Sequence, residues 1–422
     1  MGKQKLLKIF SSNYFKSIAV LTFGTLISQI ITVLVSPIAT RLYTPEQLGI
    51  YTLLLTIVTL FGPILSGKLD AAIVTADSED EVYNLIVASI LISFIFVILI
   101  SLGFLCYLKI NKSIRLEVGV YYLIVIIILI ITAFINIFSY YNNRHKEYEL
   151  ISSVNVLRTI TQSMFLLIFG LLKLGTIGLL LSQLIGLLFG LKKQSEKLYK
   201  NINILNKICF NKVKSVIYKY RKQIIYSTPA HFVNSASYSM LNFFITELYG
   251  IRVFGYYSMS YRMLGLPLTL ISINVSRVFF KNLWKKKKVN GNYFITLRQI
   301  LLFLGCLAIP MVFILLILGP HLFELLFGKG WDVSGKYAQL LAPMFGFRLI
   351  VTTISPALII SGKQRLELAM QSLFIITSIL TYMLCKKFEL DINIFLILIS
   401  LKYSLIYIYF LITICRLSKL ND

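Results

Sequence analysis

The stretch NLIVASILISFIFVILISLGFLCYL, Asn84 to Leu108, decides the class of this fold. It carries no charged residue, and at ~1.5 Å per residue it is long enough to cross ~30 Å of hydrocarbon as a helix. Backbone amides find no water at that depth, so the segment must satisfy its own hydrogen bonds, and its unbroken Ile, Leu and Val runs lack the alternation of a barrel strand. Residues 118–138, 300–318 and 366–385 repeat the pattern with almost no charge. Across 422 residues, 57% are hydrophobic and 14% charged, a composition unsuited to a soluble domain. The expected fold is an all-α membrane protein with about 12 transmembrane helices. Their spans read as 17–40, 49–67, 84–108, 118–140, 152–172, 174–191, 223–245, 253–275, 299–318, 337–360, 366–385 and 392–415.

The formal charge of +25 raises the possibility of a nucleic-acid binder, but the charges are distributed as a topology signal. With the N-terminus inside, the loops on the cytoplasmic side hold roughly three times as many Lys and Arg as those opposite. Lys68, Arg144, Lys146 and Arg158 are counted there, with the basic stretches 192–222 and 277–298. Both termini are therefore expected in the cytoplasm, and the run Lys285–Lys288 suits contact with anionic membrane lipids. The basic start leads into an apolar run without a small-residue cleavage site, which reads as a retained first helix. Cys106, Cys209, Cys306, Cys385 and Cys415 lack any metal-ligand spacing.

A repeat divides the chain. Thr40-Arg41-Leu42-Tyr43 with Gly49 and Tyr51 matches Thr246-Glu247-Leu248-Tyr249 with Gly255 and Tyr257, every pair at one constant offset. Both copies sit between the first two helices of a six-helix set, so the halves share one orientation, as parallel repeats do. Residues 1–206 and 207–422 are the expected bundles. Arg262, Arg348 and Lys402 fall near the centres of their spans, where a cation costs at least ~2.5–3.5 kcal/mol on insertion scales. No Asp or Glu occupies the middle of a span to pair with them. A water-filled cationic cavity explains all three, and guanidinium groups grip phosphate oxygens bidentately. Polar residues crowd 223–245, Asn234 among them, and Tyr257 and Tyr261 flank Arg262; hydroxyls, amides and aromatic faces are what a sugar binds.

The segment Gly330-Trp331-Asp332-Val333-Ser334-Gly335-Lys336 nearly spells a phosphate-binding loop, but Tyr337 stands where Ser or Thr should follow and no strand precedes it. No zinc-binding or Ser/His/Asp spacing appears, so neither an enzyme nor a cofactor is expected. The opening Thr25-Leu26-Ile27-Ser28-Gln29, followed by Pro37-Ile38-Ala39-Thr40-Arg41-Leu42-Tyr43-Thr44-Pro45-Glu46-Gln47-Leu48-Gly49-Ile50-Tyr51, resembles Wzx-type O-antigen and capsule flippases, relatives of the MATE drug exporters in the MOP superfamily. Leu69-Asp70-Ala71-Ala72-Ile73-Val74 and Leu326-Phe327-Gly328 with Trp331 extend the resemblance.

What the resemblance implies is two six-helix bundles around a central cavity that opens alternately to either side of the bacterial inner membrane. The cargo would be an undecaprenyl-pyrophosphate-linked oligosaccharide for lipopolysaccharide or capsule. The polymerase and chain-length proteins of that pathway would be partners, and nucleic acid would not. Arg262, Arg348, Lys402, Arg41, Tyr257, Tyr261 and Asn234 are the candidate substrate-binding residues; Asp70, Glu247 and His231 are the candidates for coupling to H+ or Na+. A cation-coupled drug exporter is the nearest alternative, although it would want a carboxylate inside a span. A membrane polysaccharide polymerase is a weaker one, since the longest segment outside the spans is basic rather than acidic.

The topology has a direct test. Cysteines introduced at Lys286 and Asn203, in a background without the native cysteines, should resist a membrane-impermeant thiol reagent added to intact cells; strong labelling at both would invert the orientation.

Overall fold

The computed structural model describes residues 13–110, 118–200, 210–290, 294–360 and 363–418. The N-terminal basic stretch, Cys209 and Asn203 lie outside them, as do the side chains of Lys285–Lys288. Every regular element among the described residues is helical: α1 (Asn13–Leu42), α2 (Pro45–Phe61), α3 (Glu79–Ile110), α4 (Val118–Arg144), α5 (Tyr148–Leu171), α6 (Gly175–Lys200), α7 (Phe210–Lys219), α8 (Thr228–Asn290), α9 (Phe294–Phe327), α10 (Asp332–Ile354), α11 (Gln364–Lys387) and α12 (Ile392–Leu417), with a few single turns between. Among the described residues, ten helices are long and apolar enough to cross a membrane. The 63 residues of α8 bend at Gly250 (φ 84°, ψ 168°) into two arms, 228–249 and 251–290. Glycine suits that joint because an L side chain rarely adopts a positive φ. Large apolar side chains point outward, as lipid-facing helices require: on α9, Ile309, Phe313 and Ile317 are 71%, 63% and 59% exposed.

By packing, the chain forms two compact units, Met1–Tyr43 with Ile50–Ser235, and Thr44–Gly49 with Ala236–Asp422. The halves 1–206 and 207–422 are a division by repeat and stand as a proposal. In the first unit, Tyr43 is buried and donates its hydroxyl to the Leu166 carbonyl on α5 (2.7 Å). In the second, its repeat mate Tyr249 donates to the Leu390 carbonyl just beyond α11 (3.0 Å). The matched tyrosines thus both donate to a distant backbone carbonyl, Tyr43 to one within α5 and Tyr249 to one in the α11–α12 connection.

Without a hydrophobic drive between helices in lipid, close backbone approach at small residues holds membrane helices together. Gly49 and Gly255, matched by the repeat, show it within the second unit. A Cβ on Gly49 would stand 2.4 Å from the Ile251 carbonyl oxygen, and one on Gly255 only 1.8 Å from that of Pro45. The loop-like glycine of the 330–336 segment has the same use: a Cβ on Gly335 would meet the Gly319 carbonyl oxygen at 2.4 Å, where α10 crosses α9.

The α2–α3 connection is pinned rather than loose. Arg144, at the end of α4, donates Nη1 to the carbonyls of Ile73 (3.1 Å), Val74 (3.3 Å) and Ala76 (2.8 Å), and Nε to Glu79 (3.2 Å). The amphipathic α7 buries Val213 and Val216 on the same cluster as Leu69, Ile73 and Leu85. Lys219 at its end bridges Asp77 (2.8 Å) and Glu81 (2.6 Å).

Gly255→Ala should destabilise the protein by about 1–3 kcal/mol, the usual range for overpacking a filled contact. Gly265, whose Cβ would meet nothing within 4 Å, is the control in the same helix. Thermal unfolding of both alanine variants in detergent compares them; equal midpoints would show that the backbone contact is not tight.

Candidate functional site

Arg348 sits about 24 Å along a span about 40 Å long, Asp332–Leu358. Its guanidinium carbon lies 4.8 Å from the ring centroid of Tyr238, 5.4 Å from that of Tyr261 and 5.3 Å from that of Phe345. Nη1 donates to the Tyr261 hydroxyl, while Nε is buried without an acceptor. Among the described residues no carboxylate forms an ion pair with it. Such a cage stabilises a cation by about 0.5–2 kcal/mol through the ring faces. It leaves the charge unneutralised and one donor unmet, and a buried unmet donor costs about 1–3 kcal/mol. The pair of α8 arms makes this arrangement, Tyr238 coming from the first and Tyr261 from the second. Tyr257, one turn before Tyr261, is buried with its ring centroid 5.7 Å from that of Tyr261.

The other sequence candidates fall in several places. Half-buried Lys402 donates Nζ to the Thr381 hydroxyl across α11 and α12 (2.9 Å). Arg262 is exposed and makes no hydrogen bond or ion pair among the described residues, since its neighbour Tyr261 takes the inward position and one residue turns a helix by about 100°. Arg41 is exposed at the end of α1, and Asn234 is half-buried in the first unit. Glu247 is exposed, paired with Lys386 (2.9 Å), and accepts from Tyr382 (2.6 Å).

In the first unit the structure buries Asp70 together with Lys68, while His231 is exposed on α8 and acts on Asp70 only at electrostatic range. Gly67 (φ 59°) and Lys68 (φ 61°) are successive left-handed residues that turn the chain inward. Lys68 is 6% exposed with Nζ 5.6 Å from the Tyr140 ring centroid, and Asp70 is 2% exposed. Asp70 Oδ1 accepts from the Ala71 amide (2.9 Å). Burial raises the Asp70 carboxyl above the ordinary carboxylate range, outweighing the pull of Lys68, the Ser66 hydroxyl, the Ala71 amide and His231. Sequence reading counted Lys68 only as a topology charge and passed over Tyr238; neither carries a local signal, because the burial of one and the partner of the other depend on distant helices.

A family model described as polysaccharide biosynthesis protein matches residues 38–336. No curated protein sequence matches the chain. Among solved structures, it is similar to the lipid II flippase MurJ in an inward closed conformation, with a TM-score of 0.71 at 15% identity over 95% of this chain and 90% of that one. An inward-facing multidrug resistance MATE family transporter of the MOP superfamily gives 0.67 at 14% identity, over 93% and 95%. A MOP superfamily transporter from Pyrococcus furiosus, for which reversed polarity of the binding pocket suggests a different function, gives 0.64 at 14%, over 96% and 97%. At such identities the likeness is one of fold.

The raised Asp70 carboxyl makes a pH-dependent contribution whose sign is fixed. Ionising it opposes the fold, so the penalty is absent below about pH 4 and grows as pH rises through the raised value. Asp70→Asn removes the ionisation, so its melting temperature relative to wild type should rise by roughly 2 °C or more between pH 4 and pH 8. A difference independent of pH would show that Asp70 titrates alike in folded and unfolded chains.

Proposed function

The chain belongs to the polysaccharide biosynthesis protein family, and on that premise we propose that it is a flippase carrying undecaprenyl-pyrophosphate-linked oligosaccharide repeat units across the bacterial cytoplasmic membrane, for O-antigen or capsule. Transport proceeds by alternating access, without chemistry on the cargo. The observation that carries this reading is Arg348: a cation deep in a span, held by aromatic faces and one phenol, with a buried Nε still free to donate and no carboxylate bound to it. Diphosphate oxygens accept from guanidinium in forked pairs, and they gain most where water is scarce. Lys402 adds positive potential on α12, and the phenols of Tyr257 and Tyr261 suit the sugar hydroxyls next to the diphosphate.

The MATE-like alternative of exporting a cationic drug fits less well. Glu247 is already paired with Lys386, and Asp70 lies in the α2–α3 connection rather than within a span. If a proton drives export, Asp70 with His231 is where it acts, since the first is buried and the two stand within electrostatic reach of each other.

Arg348→Ala should lower surface polysaccharide at least about tenfold at matched protein abundance, the scale of losing a desolvated charged contact. Arg348→Lys should retain part of it, and Lys402→Arg should exceed Lys402→Ala. Wild-type export by the alanine variants of Arg262, Arg348 and Lys402 alike would remove the cationic-cavity mechanism.

A further inference from the structure

Arg158 was counted with the cytoplasmic loops, yet the structure puts it inside α5, about 15 Å from the helix start in a span of about 36 Å. This agrees with the span expected at 152–172, so it is the counting of Arg158 among the loop charges that is corrected. The face it occupies is informative. Ile160, Met164 and Ile168 are 40%, 56% and 42% exposed and mark the apolar outer stripe of α5. At about 100° per residue, Gln162 lies roughly 160° and Arg158 roughly 120° round from the centre of that stripe, so Arg158 does not reach out along the lipid face. It is half-buried.

Its stem is bedded on α6. A Cβ on Gly190 would come within 2.5 Å of Arg158 Cγ and Cδ, and one on Gly186 within 2.9 Å of the Arg158 carbonyl oxygen and 3.0 Å of Gln162 Cβ. Gly190 therefore clears the bed for this side chain, while Gly186, one turn before it, lets the α5 backbone at Arg158 come close. Among the described residues Arg158 makes no hydrogen bond or ion pair. One turn along the same face, Gln162 donates Nε2 to the Tyr51 hydroxyl (3.2 Å), and that hydroxyl donates to Gln183 Oε1 (3.3 Å). The network joins α2, α5 and α6 but does not take up the guanidinium.

From this placement we infer that Arg158 is a second anion-binding residue, in the first unit, and that it takes a phosphate group of the lipid-linked cargo. The inference rests on the flippase reading. A guanidinium with a fixed stem, an inward face and all its donors free matches a phosphate ester. The same chemistry exists in the headgroups of acidic phospholipids, so the test must separate the two.

The probes are undecaprenyl diphosphate without sugars, and phosphatidylglycerol, each titrated against purified full-length protein by native mass spectrometry. Arg158→Ala should weaken diphosphate binding about tenfold and leave phosphatidylglycerol binding unchanged, while Arg158→Lys retains most of it. Gly190→Ala, which pushes the stem off α6, should fall between them. If Arg158→Ala does not survive purification, Arg158→Gln, which keeps a stem in the glycine bed, carries the same comparison. Unchanged diphosphate binding in these variants, with loss in Arg348→Ala, overturns the role of Arg158 and leaves the cargo reading intact. Unchanged binding in the Arg348 variant as well removes the cargo reading itself. Loss of phosphatidylglycerol binding alone assigns Arg158 to the membrane and overturns the inference.

Discussion

Hydrocarbon offers a charge neither water nor a free counter-ion, and Arg348 meets that constraint deep within α10. The rings of Tyr238, Tyr261 and Phe345 face the guanidinium, and Tyr261 accepts one of its hydrogens. Aromatic faces are the mildest way to hold a cation there, because their negative quadrupole lowers its energy without neutralising it. A carboxylate would make a tighter pair, but it would cancel the positive field. The cage thus keeps a positive potential in a place where an ion pair would erase it. Its geometry also explains why α8 is bent: the Gly250 joint allows one continuous stretch to supply both Tyr238 and Tyr261.

Close packing of backbones gives these positions their fixity. Gly49 against Ile251, Gly255 against Pro45 and Gly335 against Gly319 are contacts of main chain on main chain, and contacts of that kind cannot shift by side-chain rotation. Dispersion between atoms at such short range is what membrane helices have in place of hydrophobic burial. Gly190 uses the same device differently, since the space it clears admits the stem of Arg158 rather than another backbone.

The α2–α3 connection solves a related problem nearer water. Lys68 and Asp70 are both buried there, a placement that needs compensation. Tyr140 faces the ammonium, the Ala71 amide binds the carboxylate, and Arg144 caps three carbonyls of the following turn. The outer ion pairs of Lys219 with Asp77 and Glu81 are exposed and worth little singly. Burial of Asp70 therefore dominates the electrostatics of this connection, and it leaves the carboxyl easier to protonate than one in water.

The helical class, the approximate number of spans and the repeat were legible in the residues, because span length and the spacing of matched motifs are properties of the chain read along itself. Tyr43 with Tyr249 and Gly49 with Gly255 could be paired by offset alone. The presence of Arg262, Arg348 and Lys402 within spans was legible for the same reason. Which of these cations is enclosed was not: Arg348 is caged and Arg262 exposed, although both looked alike by depth. Depth follows from counting residues, but enclosure follows from the rotation of each helix about its axis and from partners far away in sequence, such as Tyr238 for Arg348 and Gly190 for Arg158. Lys68 reads only as a loop charge because composition places a residue only along the membrane normal. Tertiary packing alone decides which way the side chain faces, since facing depends on contacts between segments that no local pattern encodes.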